Sequence, residues 1–408
     1  MSTQHPLQLG WNLAEPRTAL SSFLKTLPHP PQLLALGEPT HGVETFPDWR
    51  NRMFRTLVEH HGFRSIALES DILAGQQVNA YVISGQGDLE DVMQTGFSHG
   101  FGASQANREL VEWMQEFNAG REETDHLHFY GFDAPLEWWA ASPADSLLAL
   151  HAFLNARLAE LPVDRAILEH LCGAQDRWTN QASVRDAAQS IGNSDEARQL
   201  RLLADDLESL LQTEAPHLAT KPGFWEAQLH ARTATGLLRY HALMASRAPN
   251  RVERMSALRD LMMADHLWAI TEREQPHGPT LVFAHNSHLQ RQISAMQLGE
   301  VRLRWWSAGA HISRRLGRRY AFIASAAGTV VARDTSEPAP DLWEGALRRL
   351  AGPVTLLSPQ DIATLESEQR AIRAESSAQS GFRLLDSRAL HLADGVLLID
   401  HDQLGRSD

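Results

Sequence analysis

Cysteine is almost absent. Cys172 stands alone among 408 residues, so no disulfide can form within the chain and no cysteine cluster is available to hold a metal. A single thiol beside Leu171 and Gly173 in helix-like sequence reads as a small buried hydrophobe, not as a nucleophile with a paired base. Nor is there an uninterrupted apolar run of the roughly 18 residues that a membrane-spanning helix needs. Residues 1–18 lack the basic start and apolar middle of a secretory signal, and the expected location is cytoplasmic. Positive charge is also in short supply: 37 Lys and Arg face 50 Asp and Glu, a formal net charge of -13 with no continuous basic stripe. That balance repels phosphate backbones and anionic lipid, which excludes nucleic acid and membrane as expected partners and leaves a small molecule. The chain has neither an internal repeat nor a low-complexity linker.

Apolar residues make up 43% of the sequence, enough over this length for one large core or two modest ones. Short runs rich in Val, Ile, Leu and Phe, of strand length, occur at Gln32–Leu36, Ser65–Leu68, His126–Tyr130 and Thr280–Phe283. Four more follow at Tyr320–Ala324, Thr329–Ala332, Val354–Leu357 and Val396–Ile399. Amphipathic helices lie between them, as in Leu110, Trp113, Met114 and Phe117, which share one face. From about Ser142 to Glu274 the pattern is helical throughout, with Leu147, Leu150, Leu154 and Leu158 after Asp145 as the expected cap, and a second stripe at Leu200, Leu203, Leu207, Leu210 and Leu211. The expected fold is α/β, a mainly parallel central sheet flanked by helices and interrupted by a long helical insertion. Residues 1–141 and 275–408 are its two parts, and 142–274 the insertion.

Four of the strand candidates run into ionisable residues. The first leads to Glu38 and His41 within Gly37-Glu38-Pro39-Thr40-His41-Gly42, the second to Glu69 and Asp71, the third to Asp133, and the fourth to His285 and His288. In an open parallel sheet the carboxyl ends of the strands border one crevice, so groups distant in sequence can converge there. Any one of these acids would ordinarily be a helix cap or a surface ion-pair partner. Four at like positions, two with histidine, point to a site. Glu38 and His41 flank a proline between two glycines, which suits a tight turn that aims both side chains one way. A carboxylate on one nitrogen of an imidazole fixes its tautomer and raises its basicity, so the other nitrogen can take a proton from water. Glu69 is placed to hold that water or the imidazolium, and His285 and His288 to supply a donor for an oxyanion. Arg50, on the helix after His41, would keep the carboxylates ionised. Asp71, Asp133 and His288 are expected in supporting or substrate-binding parts. The reading calls for no cofactor and no metal.

In order and spacing these stretches resemble the erythromycin esterase family. The likeness takes in Gly37–Gly42, Ile66-Ala67-Leu68-Glu69 after Gly62-Phe63-Arg64, and Val78-Asn79-Ala80-Tyr81-Val82 before Gly85 and Asp88. It continues through Glu112-Trp113-Met114 with Asn118, Gly131-Phe132-Asp133, Arg259-Asp260 with Met263-Ala264, and Ala284-His285-Asn286-Ser287-His288. Spanning roughly residues 32 to 325, it implies a metal-independent hydrolase that opens a macrocyclic lactone without a covalent acyl-enzyme, and hence a role in antibiotic resistance. His41 is then similar to the general base, Glu38 and Glu69 to the carboxylates that orient base and water, and Arg50 and His285 to further members of the active site. The chain departs from the family at Gly96–Gly102 and at Asp265-His266, differences that bear on substrate.

Four rival readings use the same residues or their neighbours. Gly96-Phe97-Ser98-His99-Gly100 satisfies the serine-hydrolase elbow pattern, but an elbow needs an apolar strand immediately before it, and residues 88–95 read as helix or loop. Glu38, His41, Glu69, His285 and His288 are all competent ligands for zinc or a related cation, so a metal-dependent hydrolase is a second reading, although no His-Glu-x-x-His helix is present. A biosynthetic hydrolase or cyclase acting on an amide or ester is a third. A binding module without turnover is a fourth. Eleven tryptophans, including Trp138-Trp139 and Trp305-Trp306, suit packing first and the wall or lid of a cleft for a bulky apolar substrate second.

Overall fold

The structure is a computed structural model, and it describes residues 9–137, 140–328, 339, 341–368 and 387–400. The strand candidate Thr329–Ala332 and the pair Trp138-Trp139 lie outside these residues. Ten strands are present among the described residues: β1 (Trp11–Asn12), β2 (Leu33–Glu38), β3 (Ser65–Asp71), β4 (His128–Asp133), β5 (Thr280–His285), β6 (Ile293–Leu298), β7 (Val301–Trp306), β8 (Tyr320–Ala327), β9 (Val354–Leu357) and β10 (Gly395–Ile399). Eight form one sheet in the order β1-β9-β10-β8-β2-β5-β3-β4. The pairs β10/β8, β8/β2, β2/β5 and β5/β3 are parallel, and β9 pairs antiparallel with β10 and β1. This is the mainly parallel α/β sheet expected. Its central strands carry apolar residues on both faces because both are covered: every residue of β2, β5 and β8 is buried.

The strands run further than their apolar segments. Register pairs Leu33 with Thr280 at one end of β2 and β5, and Glu38 with His285 at the other. The ladder therefore carries two polar residues to the carboxyl edge side by side. Around β2 the order reverses, since the chain leaves toward β3 on one side and later returns through β8 on the other. Such a switch point opens a crevice between the connections.

The helix Thr45–His61 follows β2. Phe46, Trp49, Met53, Phe54, Leu57 and Val58 recur at helical spacing and are buried, and Gly62 ends the helix in the left-handed region at φ 72°. These residues join Leu34, Leu36, Ile66, Leu68 and Leu281 in a single core. No described helix is long and apolar enough to cross a membrane.

The chain divides into two compact units. One comprises Met1–Glu69, Gly75–Gly131 and Leu267–Asp408, the other Ser70–Ala74 and Phe132–His266. The second unit is built on helices, with Leu147, Leu150 and Leu154 of Ala144–Asn155, Leu200, Leu207 and Leu211 of Asp195–Thr213, and Ala227, Ala231, Ala234 and Leu238 of Phe224–Met244 in one core. Asp145 lies inside the first turn of its helix, and Pro143 holds the N-cap position. Cys172 is buried in the same core, and burial pushes its thiol up to about 11, as a packing residue requires.

Two histidines of this unit are sealed in neutral form. His241 donates to the Ala141 carbonyl at 2.8 Å and His266 to that of Phe132 at 3.0 Å, and burial lowers both to about 4 from 6.5. Between those values the unfolded chain binds protons that the folded unit refuses. Its stability should fall as pH drops from about 6.5 toward about 4 and level off below, by roughly 3 kcal/mol per pH unit for two protons at most. Denaturant midpoints measured across that range check this; midpoints independent of pH there would show that the rings are not held neutral.

Candidate active site

A cleft of about 390 Å³ opens at the carboxyl edge of the sheet, lined among others by Glu38, His41, Arg50, Glu69, Phe101 and Phe283. Each arrives from a different element. Glu38 ends β2, and the turn that follows carries His41 to Gly42, whose φ of 73° favours a residue without a side chain. Glu69 is near the end of β3. Asn286, just past β5, reaches across β2 to Ser325 of β8, accepting from its N–H at 3.1 Å and donating to its carbonyl at 2.9 Å. This bridge passes over Gly37, where a Cβ would meet the Asn286 oxygen at 2.0 Å, so the glycine of Gly37-Glu38 is a packing requirement.

His41 is the hinge of the arrangement. Its Nδ1–H donates to Glu38 Oε1 at 2.6 Å, and its Nε2 lies 3.7 Å from Glu69 Oε1. The imidazole side chain is 41% exposed, whereas the two carboxylates are 5% and 2% exposed. One ring therefore stands at the solvent boundary between two buried acids. Burial raises Glu38 above its ordinary range, against the hydrogen bond and charge of His41, so Glu38 ionises reluctantly and depends on that partner. The edge of Phe101, 5.3 Å away by ring centroid, packs against the same imidazole.

Glu69 organises the other side. Its Oε2 accepts the main-chain N–H of His285 at 2.8 Å, and its Oε1 lies 3.3 Å from His288 Nε2. The His285 ring has a single tautomer consistent with its partners. Nε2–H donates to the Pro39 carbonyl at 3.1 Å, while Nδ1 accepts from the Ser287 N–H at 3.1 Å and the Ser287 hydroxyl at 2.7 Å. With that N–H committed to Pro39, His285 braces the turn that bears His41, 5.4 Å away ring to ring.

Arg50 is 1% exposed, a buried cation held by neutral groups. Nε and Nη2 donate to Asn51 Oδ1 at 3.0 and 2.7 Å, Nη1 donates to Asn107 Oδ1 at 2.9 Å, and the guanidinium lies 5.0 Å from the centre of the Phe283 ring. Burial lowers it to about 10 and the field of Glu38 opposes that fall, so it stays charged at neutral pH. Asn107 is placed by the helix Gln105–Asn118. The first turn of that helix is capped by Ser104, and Glu44 accepts the Ala106 N–H at 3.0 Å.

Six of the predicted residues, Glu38, His41, Arg50, Glu69, His285 and His288, thus meet in one constellation. The other two do different work. Asp71 Oδ1 accepts from the main chain of Leu73 and Ala74 at 2.7 and 3.2 Å, a turn-closing contact. Asp133 is fully buried and paired with Arg259, whose Nη2 lies 2.5 Å from Oδ2. Neither lines the cleft. Sequence reasoning missed His99, Phe101 and Asn107 as neighbours of the site. The first two sit in the glycine-rich stretch 96–102, where His99 holds a left-handed φ of 58°, a conformation uncommon outside glycine. Ser98 is preceded by the helix Leu89–Thr95 and not by a strand, so the elbow geometry is absent. Trp305 is buried and Trp306 half exposed on β7, and neither is among the residues that line the cleft.

One imidazole between two carboxylates, set at the switch point of a parallel α/β sheet, is an arrangement chemically suited to proton transfer. The chain belongs to the erythromycin esterase family, whose description matches residues 58–401. The matched stretch includes Glu69, His285 and His288 and begins after Glu38, His41 and Arg50. Erythromycin esterase type II of Escherichia coli is 24% identical over 268 residues, 64% of this chain, and the match takes in 61% of that relative's own length. Among solved structures, a histidine-to-asparagine mutant of the erythromycin esterase EreC in its open conformation superposes with a TM-score of 0.67 at 18% identity, over 96% of this chain and 97% of that one. A succinoglycan biosynthesis protein gives 0.69 at 18% identity over 97% and 93%. A Bacillus cereus protein gives 0.67 at 16% over 97% and 94%. At these identities the superpositions establish the fold.

Proposed function

We infer that this chain is an ester hydrolase that opens a macrocyclic lactone or related bulky ester with water activated at His41, and forms no covalent intermediate. The observation that carries the reading is the clamp on one partly exposed imidazole: Nδ1 on Glu38 at 2.6 Å, Nε2 facing Glu69 at 3.7 Å. With the proton of the neutral ring fixed on Nδ1, the lone pair of Nε2 is left to act as base. Water gives its proton to Nε2 as its oxygen bonds to the acyl carbon. The carbonyl electrons move to oxygen, and the imidazolium is stabilised by Glu38 on one side and Glu69 on the other. Collapse of the tetrahedral species breaks the carbon–alkoxide bond, and the proton on Nε2 passes to the leaving oxygen, so the ring is neutral again. Arg50 adds a fixed positive field at the back of the cleft.

Family membership and the name of the Escherichia coli relative support a macrolide as substrate, and the aromatic lining of Phe101 and Phe283 suits a large apolar ring. The test is a panel of macrocyclic lactones and simple aryl esters analysed by mass. The expected product is the ring-opened acid, heavier by one water. A folded protein that turns over no member of the panel, or a product lacking the added water, overturns the reading.

A further inference from the structure

At the end of the sheet opposite the cleft, three side chains meet on one carboxylate. His128 opens β4, and its main-chain N–H donates to the carbonyl of Arg64 at 2.9 Å, just before β3 begins. Glu274 is the last residue of the helix Arg251–Glu274, and His277 lies in the turn before β5. All three therefore sit at the amino-terminal edge, about a strand length of ~20 Å from Glu38 and Glu69. His128 Nδ1 is 2.8 Å from Glu274 Oε1, and His277 Nδ1 is 2.8 Å from Oε2. The Tyr130 hydroxyl donates to Oε1 as well. The two imidazoles lie 4.7 Å apart by centroid, the carboxylate is 2% exposed, and the rings are 21% and 14% exposed.

Two imidazole nitrogens and a phenol thus converge on one buried carboxylate. His128, Glu274 and His277 can instead face a divalent cation. Two imidazole nitrogens and a carboxylate oxygen form a donor set typical of zinc, and one open direction leaves room for water. Among the described residues, His128, Glu274 and His277 have ligand atoms all within 4.8 Å of one another, whereas the residues of the cleft do not form such a group. Bonds of about 2.0 Å to a tetrahedral ion set donors roughly 3.3 Å apart; the three ligand atoms here lie within 4.8 Å of one another, and because the two 2.8 Å contacts fall on different oxygens of Glu274, binding through one oxygen requires the rings to shift toward a common centre.

We propose that His128, Glu274 and His277 form a zinc-type binding site separate from the catalytic cleft. The ion ties the start of β4 to the turn that leads into β5, and so fixes the edge of the sheet from which the catalytic strands run. Ring-opening chemistry at His41 does not pass through it.

Cobalt(II) titration of the chelator-stripped full chain, read by the visible band of a tetrahedral ion and by metal content, tests the proposal. One equivalent is expected in the wild type and in His41→Gln. His277→Gln should bind about tenfold more weakly or worse. At one zinc concentration the melting temperature of the wild type should rise, and that of His277→Gln should rise less. Because an unfolded variant would mimic loss, circular dichroism accompanies each protein and the more exposed His128→Gln is measured in parallel. Failure of the wild type to bind one equivalent, retention of the ion by both His128→Gln and His277→Gln, or its loss in His41→Gln would overturn the assignment. None of these readouts depends on esterase turnover.

Discussion

Replacing His41 with alanine is expected to lower kcat by about 100- to 10,000-fold while the protein remains folded, the loss that follows removal of a positioned general base. The ring is 41% exposed, so stability should change little and the loss should appear in turnover. Glu38→Gln should give a smaller loss of the same kind, because an amide can still hold Nδ1–H but cannot stabilise the imidazolium. The pH profile supplies a second readout. Burial lifts Glu38 above the ordinary 4.5, so on acidification it takes up its proton sooner than an exposed glutamate would. If the ionised form is the active one, kcat/KM should already be falling above pH 4.5, and in Glu38→Gln that part of the acid limb should disappear. Wild-type turnover in both variants would remove the base from the mechanism.

Glu69→Gln is expected to have the second largest effect, about 100- to 1000-fold on kcat, comparable to removing one preorganised electrostatic contact in an active site. Glu69 accepts the His285 N–H at 2.8 Å, stands 3.3 Å from His288 Nε2, and faces His41 at 3.7 Å. An amide keeps one acceptor for the His285 N–H but removes the charge opposite His41. Its amine face must also turn toward one of these groups. If the carboxylate acts through His41, the losses in Glu69→Gln and His41→Ala should be strongly non-additive in the double variant. Multiplicative losses would mean that the two side chains serve different steps.

The sheet was legible in the sequence where strands are apolar throughout. Val354–Leu357 forms β9 without revision, and the segments read as Thr280–Phe283 and Gln32–Leu36 became β5 and β2. Their true ends lie further on because Glu38 and His285 continue the ladder as register partners, a pairing that no local pattern reports. The position of β5 between β2 and β3 is likewise a long-range fact, fixed by pairing of segments more than two hundred residues apart. The hairpin of β6 and β7 escaped notice because its apolar residues alternate with Gln297, Arg302 and Arg304, and its turn rests on Gly299 at φ 58° alone.

The candidate site was legible for a related reason. Glu38, His41, Glu69 and His285 follow directly on readable strands, so the topology of parallel sheets was enough to bring them together. Asp71 and Asp133 follow strands too, but one closes a turn and the other pairs with Arg259, duties that an acid at a strand end fulfils equally well. The support of Arg50 by Asn51 and Asn107, and the meeting of His128 with Glu274 and His277, depend on contacts across as many as 146 residues and have no signature in local sequence.

The most direct measurement is intact-protein mass spectrometry of rapidly quenched wild-type enzyme during turnover of a lactone in heavy-oxygen water. If solvent activated by His41 is the nucleophile, the enzyme keeps its unmodified mass at every time point and each ring-opened product carries one heavy oxygen in its new carboxyl group. An acyl adduct that forms and decays at the turnover rate, on Ser98 or any other side chain, would contradict the account.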